Sequence, residues 1–265
     1  MAYTQWGDPQ NPDVVMCVHG LTRNGRDFDE LARALSDRYR VICPDVLGRG
    51  RSDQIPDPAG YAYPLYLADM ATLIAHLNVE TVDWVGTSMG GLIGMMLAAT
   101  PGNPIKRLVM NDVGPFIPKA ALDRIGTYIT KTLTFETVDA LEAHLRKIHA
   151  PFGDLSDRQW AAMAEHSHWV DENGHFVLAY DPAIAAPFQD PSLLGDVDLW
   201  AVWGLLTQPV FVVRGEESDL LSENTLLEMA RRGPKASHTT IPNVGHAPAL
   251  MDSAQIGLVE EFLQN

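Results

Sequence analysis

The segment Gly86-Thr87-Ser88-Met89-Gly90, followed by Gly91, sets a serine among glycines. A strand-like stretch at 81–85 precedes it, and a strongly apolar stretch at 92–99 follows. A serine on a sharp strand-to-helix turn has its hydroxyl lifted clear of the sheet. Small residues such as Gly86 and Gly90 let neighbouring backbone pass close, and the helix N-terminus brings amide donors beside the hydroxyl. The chemistry this suggests is nucleophilic attack by Ser88 on a carbonyl carbon. A glycine-rich turn without chemistry would use the same residues, but the strand–turn–helix context favours the nucleophile.

A serine hydroxyl needs a base to take its proton. The chain has nine histidines. His246, in Asn243-Val244-Gly245-His246-Ala247-Pro248, follows the last predicted strand and precedes the last predicted helix, where a loop can reach Ser88. His144, His149, His166, His168 and His175 fall in a different region and read as solvated or packing residues, and His76 and His238 have no loop context aimed at the site. The base in turn needs a carboxylate to fix its tautomer. Asp219 follows the strand ending at Val213-Arg214-Gly215, and Asp112 follows the strand ending at Met110-Asn111. Chain order Ser–Asp–His and loop position favour Asp219, with Asp112 as the rival; Glu216 and Glu217 read as solvated. His19-Gly20-Leu21 ends the first buried strand. The backbone amides of Leu21 and Met89 are expected to converge on a developing oxyanion, where one donor is worth about 100- to 1000-fold in rate. His19 is then a structural residue, hydrogen-bonded within its loop.

These residues need a scaffold. Predicted strands at 14–18, 39–43, 81–85 and 105–110 alternate with helical spacings at 28–35, 65–77 and 92–99. Such alternation predicts an α/β fold, a mostly parallel central sheet with helices on both faces. From 115 to 195 the pattern turns helical. Stripes at Leu122/Ile125/Ile129 and Val138/Leu141/Leu145/Ile148, and a capping-box start at Ser156 and Gln159, predict three helices. The organisation expected is a first core part at 1–114, a helical cap at 115–195 and a second core part at 196–265. Trp160, Trp169, Tyr180, Phe188 and Trp200 are candidate pocket walls, most of them expected in the cap's own core. Val210 to Val213 and 236–241 supply the remaining strands, and 256–263 the last helix.

Composition limits the partners. Hydrophobic residues make up 46% and charged residues 20%, enough to bury a core rather than stay disordered. A net charge of -15 repels nucleic acid and anionic membranes, so neither is an expected partner. Cys17 and Cys43 lie in predicted strands and read as buried free thiols. The segment 1–8 lacks the pattern of a signal peptide, and no stretch reaches about 20 apolar residues, so a cytoplasmic protein is expected. His166-Ser167-His168 lacks a third ligand, so no metal is expected.

Four segments together resemble the α/β-hydrolase superfamily: His19-Gly20-Leu21, Asp45-Val46-Leu47-Gly48-Arg49-Gly50-Arg51-Ser52, Gly86 to Gly91, and Asn243 to His246. Within it the similarity is to capped bacterial esterases and C–C bond hydrolases. The resemblance implies a Ser-Asp-His enzyme without a cofactor, acting on small to medium carboxylic esters as a monomer or small homo-oligomer. Hydrolytic cleavage of a vinylogous diketone uses the same residues, and some proteins of this fold are ligand receptors with little turnover. The Asp45–Ser52 segment is expected to rigidify loops near the site. The family usually has further strand before Tyr3-Thr4-Gln5-Trp6, so a short first sheet edge is expected here.

Overall fold

The computed structural model describes all 265 residues, Met1–Asn265. The chain enters through β1 (Tyr3–Trp6) and β2 (Val14–Val18), then α1 (Asp29–Leu35), β3 (Arg40–Pro44), α2 (Tyr63–Leu77), β4 (Val82–Thr87), α3 (Met89–Ala98) and β5 (Ile105–Asn111). An excursion follows: β6 (Phe116–Ile117), α4 (Lys119–Ile129), β7 (Thr134–Phe135), α5 (Val138–Ile148), α6 (Asp157–His166), β8 (His168–Val170), β9 (Phe176–Leu178) and β10 (Val197–Asp198). The core then resumes with α7 (Trp200–Trp203), β11 (Val210–Gly215), α8 (Glu223–Met229), β12 (Ser237–Ile241) and α9 (Ser253–Gln264).

Seven strands form one sheet in the order β1-β3-β2-β4-β5-β11-β12, parallel except for β1, which pairs antiparallel with β3 at the edge. Side chains alternate across it. Val14, Met16 and Val18 join the core on one face, while Val15 and Cys17 join the core on the other. Both faces are covered, which is why β2 and the first four residues of β11 read as unbroken apolar runs. Cys17 and Cys43 are buried free thiols on the second face. No helix is long and apolar enough to cross a membrane.

The strand order reverses at β2, since β3 lies on one side of it and β4 on the other. Ligand sites in open α/β sheets form beyond the carboxyl ends of strands at such a point. The register brings those ends level: Val18 faces Gly86, Thr87 faces Asn111, Asn111 faces Val213, and Gly215 faces Ile241. Each residue expected to do chemistry lies within a few positions past one of these ends.

The excursion leaves and returns at one ladder, where Phe116 and Ile117 pair with Asp198 and Val197. It carries its own small core around Leu141, Leu145, Trp160, Met163 and Ala164. The three helices lie at 119–129, 138–148 and 157–166, and the third begins with a complete capping box from Ser156 and Gln159. A three-stranded antiparallel sheet, β7-β9-β8, has no counterpart in the helical reading of this region. Its strands have two or three residues each, too short to show a period of two.

Helix α3 packs against β4 and β2 so closely that side chains are excluded. A Cβ on Gly90 would stand 2.0 Å from Val18 O, and one on Gly86 would stand 2.3 Å from Gly90 O. Gly257, inside α9, has nothing within 4 Å of that position. Gly90→Ala is expected to lose about 3 kcal/mol or more of stability, whereas Gly257→Ala gains about 0.5–1 kcal/mol through helix propensity. Urea unfolding of the two variants beside the parent chain measures both.

Candidate active site

Ser88 occupies the turn between β4 and α3 with φ 52° and ψ -116°, a left-handed conformation that non-glycine residues adopt only under constraint. Its N–H donates to Asn111 O at 2.9 Å. The Asn111 amide donates to Thr87 Oγ1 at 3.0 Å and to Pro248 O at 2.7 Å, tying the serine turn to the loop after β12. That loop carries His246.

His246 Nε2 lies 2.9 Å from Ser88 Oγ, and His246 Nδ1 lies 2.7 Å from Asp112 Oδ2. A carboxylate only accepts, so Nδ1 carries the proton and Nε2 presents its lone pair to the serine hydroxyl. Asp112 is fully buried with φ 56°. Its Oδ1 accepts from Gly215 N–H at 2.8 Å, and its Oδ2 also accepts from Ser218 O–H at 2.6 Å. The arrangement can draw a proton from Ser88 and stabilise the imidazolium that results.

The carboxylate at His246 is therefore Asp112, and the preference for Asp219 is corrected. Asp219 points away on the surface, its side chain 48% exposed, in a bidentate ion pair with Arg124 of α4. The loop after β11 reaches the same place, since Gly215 N–H and Ser218 Oγ bond to Asp112, but Asp219 itself turns outward to Arg124 of α4. Glu216 and Glu217 are exposed, as expected of solvated carboxylates.

The loop after β2 passes against Ser88: a Cβ on Gly20 would stand 3.7 Å from Ser88 Cβ. The Leu21 N–H donates to no group of the protein. The Met89 N–H is the first of α3 and has no intrahelical carbonyl to reach. His19 is enclosed between the strand ends. Val46 N–H donates to its Nε2 at 2.9 Å, so Nδ1 is the protonated nitrogen and donates to Gly20 O at 2.7 Å. Burial pushes its pKa down to about 4, so it is neutral and structural at neutral pH.

The loop containing Asp45 and Ser52 is held as expected of a rigid support. Asp45 Oδ1 accepts from Gly25 N–H at 2.8 Å, and Ser52 Oγ donates to Asp45 O at 2.5 Å. It also supplies a residue that the sequence did not single out. Arg49 is fully buried and makes no ion pair with a carboxylate. It donates to Leu21 O at 2.9 Å, Leu47 O at 2.7 Å and Tyr66 OH at 2.8 Å, and its Nη2 lies 3.7 Å from Met89 Sδ. Its guanidinium also faces the rings of Tyr61 and Tyr66. A buried cation is costly unless its donors are satisfied. Here they are satisfied by Leu21 O, Leu47 O and Tyr66 OH, with Met89 Sδ and the two aromatic faces beside them.

A cleft of about 780 Å³, counted out to its solvent mouth, opens on Ser88 and His246. The excursion supplies one wall through Ile125, Tyr128, Ile148, His149, Phe152 and Met163. None of Trp160, Trp169, Tyr180, Phe188 and Trp200 lines it. Trp160 fills the small core of the excursion, and Trp169 Nε1 donates to Gly50 O at 2.7 Å. Aromatic size alone could not distinguish walls from core.

This fold and site define a class. The chain belongs to the α/β-hydrolase fold family, whose family model matches residues 13–134. It is 48% identical to a 3-hydroxybutyrate-oligomer hydrolase of Cupriavidus necator, over 99% of this chain and 92% of that protein. It is 30% identical to a 2-(acetamidomethylene)succinate hydrolase of Mesorhizobium japonicum, over 88% of this chain and 81% of that protein. A solved α/β hydrolase from Novosphingobium aromaticivorans superposes with a TM-score of 0.87 at 37% identity, covering 99% of this chain and 93% of its own.

The state of His19 gives a stability test. Its folded pKa lies below its ordinary 6.5, so as pH falls the unfolded chain binds the proton first. Stability is then complete above pH 6.5 and is lost as pH falls towards 4, by on the order of 3 kcal/mol from this group. Urea unfolding at stepped pH is expected to show a shallower slope over this window for His19→Asn than for the parent chain; parallel slopes would contradict the buried neutral state.

Proposed function

We propose that this protein hydrolyses small to medium carboxylic esters through an acyl-enzyme on Ser88, with short ester-linked hydroxy acids as the leading substrates. The observation that carries this reading is the hydrogen-bonded line from Ser88 Oγ through His246 to the buried Asp112. The likeness to the 3-hydroxybutyrate-oligomer hydrolase, spanning nearly the whole of both chains, supports the choice of ester.

Ser88 Oγ attacks the ester carbonyl carbon as its proton passes to His246 Nε2. The imidazolium is held by Asp112 through Nδ1–H. The carbonyl oxygen becomes an oxyanion in the hole between the Leu21 and Met89 N–H groups, with the Arg49 charge behind that loop. His246 returns the proton to the departing alkoxide, which leaves as an alcohol. Water, deprotonated by the same nitrogen, attacks the acyl-enzyme, and the acid is released with Ser88 restored. The helical excursion acts as a cap that walls the acyl chain from solvent.

Hydrolysis of p-nitrophenyl butyrate and of a linear 3-hydroxybutyrate dimer tests this. Ser88→Ala is expected to remove about 10⁴-fold or more of the activity with folding intact. Asp112→Asn costs about 10⁴-fold, because it favours the wrong histidine tautomer. Asp219→Asn breaks only an exposed ion pair and keeps kcat within about threefold. Loss of activity in Asp219→Asn with Asp112→Asn unaffected would reverse the assignment of the acid. A folded chain inert on esters but cleaving a vinylogous diketone would move the reading to C–C hydrolysis, and binding without turnover would move it to a receptor.

A further inference from the structure

Among the polar side chains that the excursion contributes to the cleft is a histidine whose ring nitrogens the protein leaves unbonded. His149 lies just past the end of α5 and is only 7% exposed. Its backbone is fixed: the N–H donates to Leu145 O at 2.8 Å, and the C=O accepts from Phe152 N–H at 2.9 Å. Its ring stands against that of Phe152, with centroids 4.4 Å apart. Two residues on, Pro151 O accepts from Gly245 N–H at 2.8 Å, so this loop is tied to the residue preceding His246.

The ring nitrogens of His149, by contrast, bond to no group of the protein. Of the side-chain polar atoms sealed from solvent, Trp6 Nε1 and Asn111 Oδ1 lack partners. The His149 nitrogens are not sealed; the side chain lines the cleft that holds Ser88 and His246. Its neighbours on that wall, Ile148, Phe152 and Met163, are apolar. The nearby guanidinium of Arg23 is already committed to Asp27, at 2.8 and 2.5 Å. Burial, with the charges of Arg23, His144 and His246 adding to it, holds His149 well below the usual histidine range, so the ring is neutral at neutral pH.

A neutral imidazole offers one N–H and one lone pair. An alkyl chain satisfies neither, and a ketone or a carboxylate satisfies only the N–H. An alcohol both donates and accepts, and so can satisfy either nitrogen. Buried groups that would otherwise stay unpaired are what let a site reject an analogue lacking the hydroxyl.

We propose that His149 is a specificity-determining residue that hydrogen-bonds a hydroxyl on the acyl chain, so that hydroxyacyl esters are preferred over plain alkanoyl esters. This assignment rests on the ester-hydrolase reading above and adds to it the feature of the substrate that is read.

The test compares kcat/KM for ethyl butyrate with that for each enantiomer of ethyl 3-hydroxybutyrate, by acid release at neutral pH, in the parent chain, His149→Phe and His149→Gln. The parent chain is expected to prefer one hydroxy enantiomer over butyrate by about tenfold or more. His149→Phe brings that ratio close to one, and His149→Gln, which keeps a donor and an acceptor, recovers part of it. Because the ratio is taken within each protein, a smaller folded fraction lowers both rates and leaves it unchanged. Should His149→Phe fail to fold, the His149→Gln ratio and the parent's preference decide the matter. No hydroxyl preference in the parent chain, or an undiminished one in His149→Phe, overturns the proposal while ester hydrolysis stands. A folded parent chain that turns over none of the esters ends both readings, and is distinguished by the absence of any rate for Ser88→Ala to remove.

Discussion

Helix α3 approaches β2 and β4 more closely than any side chain would allow, and the candidate site is built on that approach. With hydrogen at Gly86 and Gly90, the start of α3 lies against the ends of both strands. Ser88 is thereby held at φ 52°, with its hydroxyl above the sheet and the first helical N–H beside it. Three glycines in one helix, Gly90, Gly91 and Gly94, cost about 1 kcal/mol each in propensity. Close packing offsets this: Trp84 lies against Gly94, and its Nε1 donates to Gly90 O at 3.0 Å. Local helix preference gives way here to the position of one oxygen atom.

Around that oxygen, buried polar groups are arranged so that each has one state. Asp112 accepts three hydrogen bonds and has no freedom to turn from His246. His19 is fixed in one tautomer by a backbone donor and a backbone acceptor. Arg49 spends its donors on Leu21 O, Leu47 O and Tyr66 OH, which braces the loop carrying the Leu21 amide. Such satisfied networks hold a geometry open for a reaction, because any relaxation would leave a buried group unpaired. His149 differs from these in having partners for its backbone but none for its ring.

The excursion is bonded to the loops that carry the site. Asn24 Nδ2 donates to His166 O at 2.8 Å, Gly50 N–H to Ala179 O at 2.8 Å, and Asp181 N–H to Gly48 O at 2.7 Å. Gln159 Nε2 reaches Met251 O at 3.2 Å, in the segment after His246. Both the β2 side and the β12 side of the site are thus fastened to the same roof. The cleft wall formed by α4 and α5 is positioned by the strand ends that it covers.

The alternation of apolar strands and helical stripes, the turn around Ser88 and the loop of His246 were legible in the sequence, because each is a local pattern of a few adjacent residues. The acid was not. Asp112 and Asp219 both follow a strand end and both lie between Ser88 and His246 in the chain, so neither order nor loop position separates them. Only the folded loops decide which carboxylate meets the imidazole: Asp112 turns inward to His246, and Asp219 turns outward to Arg124. Arg49 stood within a quoted motif without a sign of its burial, and His149 was one of five histidines in the excursion. What distinguishes them is the set of groups they do or do not bond, and those groups lie up to 40 residues and more away in the chain. Patterns along the backbone determine which elements form and where a nucleophile can stand. Which polar side chains become its partners depends on contacts between distant segments, and these exist only once the sheet has assembled.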